Sequence, residues 1–360
     1  MFQLQTIVTT ECNLRCQYCY IKNRTKKNNA FTLQDFDTAI TFLPEIKSAI
    51  EKYNYRSDKS TIAFFGGEPL LNFPFIKDVA VKYTNYIKTL PTNGYLLPKY
   101  LKELQELQVS VNVSYDGPYN IERITTKLYN NQFPFNELLP FMQKNSPKVM
   151  IGNYNVKCMS DNFNFFLQHD IYYPDFSIVR DDIWSKEDLK IYSIQLEFID
   201  KIVDKFFNET GTVPVIGLYK LYLCDMILSH TQGKRPFTCF SGTGGVSISA
   251  NGDIYPCARF ASNKKCKLGN YKEQVLNESL IKDFSEIFNP LTNTYCTNCS
   301  IRTECNMGCN YSQFKNGNFK ESKPILSVCE LFKITYEHAC NFYIKYKNEI
   351  TDYLNHSMKN

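Results

Sequence analysis

The chain has 360 residues, a formal net charge of +5, 43% apolar residues and 14 cysteines. That length allows a large core with a smaller unit appended, and the modest charge is not gathered into the long basic block that a nucleic-acid partner would call for. No apolar stretch approaches the ~20 residues of a bilayer crossing and no secretory signal opens the chain, so a cytoplasmic protein is expected, whose many cysteines serve metal clusters rather than disulfides.

From Leu4 to about Phe207, short β-branched or aromatic runs alternate with longer amphipathic stretches, the pattern of βα units around a parallel sheet. Six strands are predicted, near Leu4–Thr9, Thr61–Phe65, Ile87–Thr92, Val109–Ser114, Val149–Val156 and Phe176–Val179. Helical spacing follows them, as in Phe31–Lys52 and Lys99–Leu107. Six units are too few for a closed eight-fold barrel, so the expected fold is α/β, a partial (β/α)6 TIM-like barrel with ligands at the C-terminal ends of its strands. Helical stretches at Lys186–Asn208 and Thr212–His230 lead away from it. Beyond Pro236, Cys and Gly become frequent and periodicity fades until about Val328, which reads as a part organised by metal rather than by a broad apolar core. Cys329–Leu354 reads as a closing amphipathic helix.

Just past the first strand stand Cys12, Cys16 and Cys19, and the basic residues Lys22, Arg24, Lys26 and Lys27 after them read as a solvated loop. Three thiolates suit a four-iron cluster whose fourth iron stays open to an outside ligand with an amine and a carboxylate. Structural zinc fits poorly, since it takes four ligands and the first histidine is His169. Gly66-Gly67-Glu68-Pro69 closes the second strand with two glycines that let backbone approach a ligand and a carboxylate suited to an ammonium group; a plain strand-to-helix turn is the alternative. Thr92-Asn93-Gly94 and Ser114-Tyr115-Asp116-Gly117-Pro118 close the third and fourth strands. A hydroxyl and a carboxylate at adjacent strand tips suit a sugar diol or an amino-acid carboxylate, and equally a turn.

The first triplet, with Tyr18 just before its third cysteine, resembles the signature of the radical SAM enzymes. The resemblance implies S-adenosylmethionine (SAM) on the open iron, its amino group at Gly66, Gly67, Glu68 and Pro69, and its ribose or carboxylate at Thr92, Asn93, Ser114 and Asp116. Tyr18 would cover the adenine or shield the cluster, or simply pack. Relatives carry an arginine for the SAM carboxylate about a dozen residues past the serine; Arg123 comes earlier here.

Farther on, twelve residues separate Cys239 from Gly252 and four more lead to Cys257; then Cys296-x2-Cys299-x5-Cys305-x3-Cys309 is followed nineteen residues later by Cys329. This order resembles the SPASM domain of radical SAM enzymes that modify ribosomal peptides and proteins. The resemblance implies two auxiliary [4Fe-4S] clusters, an outer one on Cys296, Cys299, Cys305 and Cys329 and an inner one on Cys239, Cys257 and Cys309, where Cys266 or Cys224 would supply a fourth thiolate or an iron stays open. On their own, Cys296 to Cys309 would also fit a zinc knuckle. Cys158 and Cys340 read as inert thiols. The implied division is a barrel over 1–208, a helical connection over 209–236, the SPASM domain over 237–335 and a C-terminal helix over 336–360.

The function implied is hydrogen abstraction from a residue of a ribosomally made peptide by a 5′-deoxyadenosyl radical, closing a thioether or carbon–carbon crosslink. Oxidation of Cys or Ser to formylglycine, as in anaerobic sulfatase maturases, comes second, because no acid matches their general base. A non-catalytic iron–sulfur electron carrier or a zinc-binding module forms the contrasting class. Expected partners are the peptide and a flavodoxin or ferredoxin as electron donor; with only eleven residues before Cys12, leader recognition would come from a separate leader-binding protein or from the sheet or auxiliary domain, or not be needed. Neither nucleic acid nor membrane is expected. Asp116, Glu122 and Tyr115 are near the expected site without a role as acid or base.

Overall fold

A computed structural model describes residues 2–21, 30–53, 60–119, 132–232, 239–287, 293–305, 308–316 and 323–359. All six predicted strands form, each within a few residues of its expected place. In chain order the first half runs β1 (Phe2–Thr9), α1 (Leu33–Thr41), α2 (Leu43–Glu51), β2 (Ser60–Gly66), α3 (Phe73–Lys82), β3 (Ile87–Thr92), α4 (Leu97–Glu106), β4 (Val109–Val113), α5 (Phe135–Lys144), β5 (Lys148–Ile151), α6 (Met159–Leu167) and β6 (Asp175–Ile178). β1 to β4 pair in parallel in sequence order, and β5 pairs in parallel with β6. A parallel bridge from Ser114 to Lys148 carries the curve of the sheet across from β4 to β5. The wall is therefore an open, partial barrel.

The strands are apolar where they meet the helices. Ile62 and Phe64 of β2, Leu90 of β3 and Val113 of β4 are fully buried, as are Phe36 of α1 and Ile76 and Val79 of α3. Gln3 and Gln5 alternate with Phe2 and Leu4 on β1 and are only partly buried, so this strand turns polar side chains to the hollow of the barrel. Helix starts are fixed by capping boxes: Thr32 with Asp35 on α1, and Ser185 with Asp188 on α7 (Lys186–Thr210).

After α8 (Gly217–Gln232), the region without clear periodicity contains β7 (Gly245–Ser249), β8 (Asp253–Tyr255), β9 (Gly269–Asn270), β10 (Val275–Leu276), α9 (Glu278–Ile287) and α10 (Asn310–Asn316). β7 pairs in parallel with β1, so all these strands continue the barrel sheet in the order β10-β9-β8-β7-β1-β2-β3-β4. Its apolar residues, among them Ile248, Ile254, Phe260 and Phe284, join the main core. This sheet extension was not expected from the sequence; strands of two to five residues are too short to show alternation. The closing helix α11 (Leu326–Lys359) lies along α7 and α8, tied by Tyr192 to Thr335 at 2.6 Å and by His338 to Asp200 at 2.7 Å. No helix among the described residues is long and apolar enough to cross a membrane.

Candidate functional site

The loop carrying Cys12, Cys16 and Cys19 leaves β1 at the C-terminal edge of the sheet. Within it, Leu14 N donates to Cys12 Sγ at 3.3 Å and Cys19 N to the Cys16 carbonyl at 3.2 Å. The tip of β2 lies directly against it: Gly67 N donates to Thr9 O at 2.9 Å and Glu68 N to Glu11 O at 2.8 Å. A Cβ on Gly66 would collide with the Thr9 carbonyl and one on Gly67 with the Glu11 carbonyl, and Gly66 has φ +144°. The neighbour that requires these glycines is thus the backbone of the cysteine loop itself, a role their spacing did not reveal.

Glu68 is 1% exposed. Its carboxylate accepts from Thr92 Oγ1 at 2.7 Å, Asn93 N at 2.8 Å and Leu70 N at 3.1 Å. Asn93 then donates to Asn13 Oδ1 at 2.6 Å and, more distantly, to Cys12 Sγ at 3.9 Å. Pro69 is buried at the start of the turn that follows. Glu68, Thr92 and Asn93 therefore form one buried network beneath the first cysteine, and hydrogen bonds to a charged group of this kind contribute roughly 1.5–3 kcal/mol each.

Ser114 closes β4, its amide donating to Thr92 O at 2.8 Å. Asp116, also 1% exposed, accepts from Met150 N at 2.7 Å and from the Tyr18 hydroxyl at 2.6 Å, while the Tyr18 ring stacks on Tyr154 with centroids 5.7 Å apart and planes 4° from parallel. Tyr115 stacks on Phe133 at 4.3 Å. Arg123 and Glu122 lie outside the described residues.

The later cysteines come together in two groups. Burial first, then the charges of Cys239 and Cys309, push the Cys257 thiol up to about 12. Burial, then the charges of Cys305, Cys296 and Cys299, push Cys329 up to about 12. Cys266 is buried and is raised to about 12 by that burial and by the charge of Cys257, whereas Cys224 lies in the apolar core on α8. Cys158 and Cys340 stand apart, the first at the N-cap of α6 and the second on α11.

Between the first loop and the inner group lies Arg259. Its Nη1 donates to Cys309 Sγ at 3.0 Å, its Nη2 pairs with Asp181, and its guanidinium lies over the rings of Tyr20, at 5.1 Å, and Tyr311, at 5.5 Å. Tyr20, next to Cys19, is raised well above its ordinary value by burial; the Arg259 charge opposes this, and Cys19, Cys257 and Cys309 add to it. A cavity of about 630 Å³ opens here into the barrel, lined by Gln5, Tyr20, Lys148, Arg180, Cys257 and Arg259 among others, and among the described residues by no Asp or Glu. A second, of about 230 Å³, is enclosed by Cys296, Cys299, Cys305, Cys309 and Cys329, with Arg180 on its wall as well. Another cavity, of about 760 Å³, lies between α2 and the first residues of β2 and β3, away from all the cysteine groups.

Among the described residues, no three His, Cys, Asp or Glu side chains converge closely enough to hold a single metal ion. A cube of iron and sulfide needs something different, thiols spread around its corners and donors for its sulfides. Such donors are present. Asn13 Nδ2, next in the chain to Cys12, and Arg259 Nε, on the side chain whose Nη1 reaches Cys309, are buried with no acceptor among the described residues, an arrangement that costs about 1–3 kcal/mol per group unless something accepts. The donor sets fit iron–sulfur clusters.

Neither Tyr20, Arg180 nor Arg259 was found from the sequence. The only signal was position, one residue past Cys19 for Tyr20 and two past Cys257 for Arg259, and neither spacing identifies a partner.

Residues 6–144 match the Radical SAM superfamily, and residues 239–300 match SPASM, an iron–sulfur cluster-binding domain. The chain is a radical SAM superfamily enzyme with a SPASM domain, a pairing that implies [4Fe-4S] clusters and SAM. Two relatives extend over nearly all of it. The radical SAM cyclopropyl synthase TigE of Paramaledivibacter caminithermalis is 25% identical over 92% of this chain and 72% of its own. A serine-type anaerobic sulfatase-maturating enzyme of Bacteroides thetaiotaomicron is 24% identical over 94% and 89%. Among solved structures, anSMEcpe with bound AdoMet superposes with a TM-score of 0.72 at 20% identity over 99% and 98% of the two chains. Streptococcus suis SuiB bound to its precursor peptide SuiA gives 0.57 at 15% identity over 90% and 75%.

Proposed function

We propose that this enzyme modifies a ribosomally made peptide, taking a hydrogen atom from one of its residues and closing a thioether or carbon–carbon crosslink. The observation that carries the reading is the 630 Å³ cavity, which has Tyr20 of the first cysteine loop and Cys239, Cys257 and Cys309 on its walls. A peptide side chain in it touches both cysteine regions at once. SuiB, solved with precursor peptide SuiA, and anSMEcpe, solved with the Cp18Cys peptide, support this class of substrate.

In this reading Cys12, Cys16 and Cys19 hold the first cluster, Cys239, Cys257 and Cys309 the inner auxiliary one, and Cys296, Cys299, Cys305 and Cys329 the outer. Cys266, adjoining Cys257, is the better placed of the two candidates for a fourth inner thiolate. When bound, the first cluster and SAM supply a 5′-deoxyadenosyl radical. The protein does the positioning. The Gly66–Pro69 backbone and Ser114 present the SAM contacts at the strand tips, Glu68, Thr92 and Asn93 hold the cysteine loop beneath them, and Tyr18 is locked in place by Asp116 and Tyr154. A flavodoxin or ferredoxin delivers the electron.

The test is mass spectrometry of a cysteine-containing peptide encoded beside the gene after anaerobic incubation with enzyme, SAM and reductant. The expected product has lost two hydrogen atoms and carries an internal link. A sulfatase-derived peptide converted to an aldehyde, with the neighbouring peptide untouched, would establish the formylglycine reading instead.

A further inference from the structure

Arg259 is held more tightly than a salt bridge requires. Besides Asp181 and Cys309 Sγ, it has an aromatic ring at each of two approaches, Tyr20 and Tyr311. Asp181 is itself fixed by the Ser312 hydroxyl, three residues past Cys309. One donor of the guanidinium, Nε–H, remains buried with no acceptor among the described residues. A planar fork with donors on several sides can address a thiolate and a carboxylate at once, which a lysine ammonium cannot do from one position.

We propose that Arg259 is a positioning residue that sets the reduction potential of the inner auxiliary cluster. The inference rests on the reading of Cys309 as a ligand of that cluster. Reduction adds one negative charge, and a cation donating a hydrogen bond to a ligand sulfur stabilises the reduced form, raising the potential. The orphaned Nε–H supplies a further donor on the same side chain. Asp181 works in the opposite sense, because its carboxylate offsets part of the guanidinium charge. Tyr20 couples the arrangement to the first cluster, since it directly follows Cys19 and lies over the same guanidinium.

The opposed signs make the test specific. The full chain, reconstituted anaerobically, is titrated with dithionite and followed by EPR, in wild type and in Arg259→Gln, Arg259→Lys and Asp181→Asn. The expected inner-cluster potential falls in Arg259→Gln, falls less in Arg259→Lys, which keeps the charge without the fork, and rises in Asp181→Asn. General loosening of the site would move all three the same way. An unchanged potential in Arg259→Gln at wild-type iron content overturns the proposal, as does a shift of Asp181→Asn in the same direction as Arg259→Gln. If Arg259→Gln loses iron, the opposite displacement of Arg259→Lys and Asp181→Asn carries the decision. A Cys309→Ala protein that keeps all its iron and the wild-type EPR spectrum would instead overturn the ligand reading on which this rests.

Discussion

The Tyr18 hydroxyl donates to the buried Asp116 carboxylate at 2.6 Å, across 98 residues of sequence, while Asp116 also accepts from the Met150 amide at 2.7 Å. One carboxylate thus fastens the cysteine loop of β1 to the strand tips of β4 and β5. Tyr18→Phe keeps the ring on Tyr154 and removes only the hydroxyl. The expected loss is about 1–3 kcal/mol of unfolding free energy, read by urea denaturation, with the first cluster more easily lost in air. Wild-type stability in the phenylalanine variant would show that the bond holds nothing.

Glu68→Gln tests the network beneath the loop. The amide can still accept from Thr92 or from Asn93 N, but its NH2 end must then face a donor in a site with almost no water. A loss of about 2–3 kcal/mol is expected, together with slower SAM cleavage as the loop loses its support. Unchanged denaturation and cleavage would show that Glu68 does not support the loop.

Gly67→Ala places a methyl group against the Glu11 carbonyl, and backbone rather than a flexible side chain must give way. The loop carrying Cys12 is displaced while the later cysteines, far along the chain, are untouched. The expected protein binds about four fewer irons than wild type, shown by iron analysis, and retains the auxiliary EPR signals. Full iron content contradicts this.

Asp35 gives the pH prediction. Burial works to raise its carboxyl, but hydrogen bonds from Lys272 and Thr32 outweigh it and hold the group below its ordinary value of 3.8; Lys272 lies 2.6 Å away, just past β9. A depressed folded-state value means that the stabilisation is complete above the unfolded value and is lost as pH falls through the folded one. Asp35→Asn keeps an acceptor for the α1 cap while removing the ion pair. Its stability deficit against wild type is expected to be constant from pH 7 to about pH 5 and to close below that, measured by denaturation at each pH. A deficit that grows on acidification would have the wrong sign.

Local pattern and cysteine spacing carried much of this architecture. Alternation of short β-branched or aromatic runs with amphipathic stretches located the six barrel strands, and the division of the later cysteines into two sets rested on the SPASM resemblance. What stayed hidden depends on pairing at long range. β7 is five residues long and meets β1 from more than two hundred residues away, so nothing local announces it. The Arg259–Asp181 pair spans 78 residues, and Tyr20 joins it only once β7 and β8 have carried Cys257 to the barrel mouth. Glu68 reads in the sequence as a carboxylate for an ammonium group, not as the acceptor that ties Thr92 and Asn93 together. That role follows from the parallel register of β2 and β3.

Cys12, Cys16 and Cys19 alone are expected to build the cluster that cleaves SAM, while the seven later cysteines build two others. This assignment is tested most directly by anaerobic iron analysis and 5′-deoxyadenosine formation in wild type beside the variant with all three of Cys12, Cys16 and Cys19 replaced by alanine. The expected wild type holds about twelve irons and cleaves SAM under reductant, and the variant holds about eight and cleaves none. Cleavage by the variant, or equal iron in both proteins, would contradict the assignment.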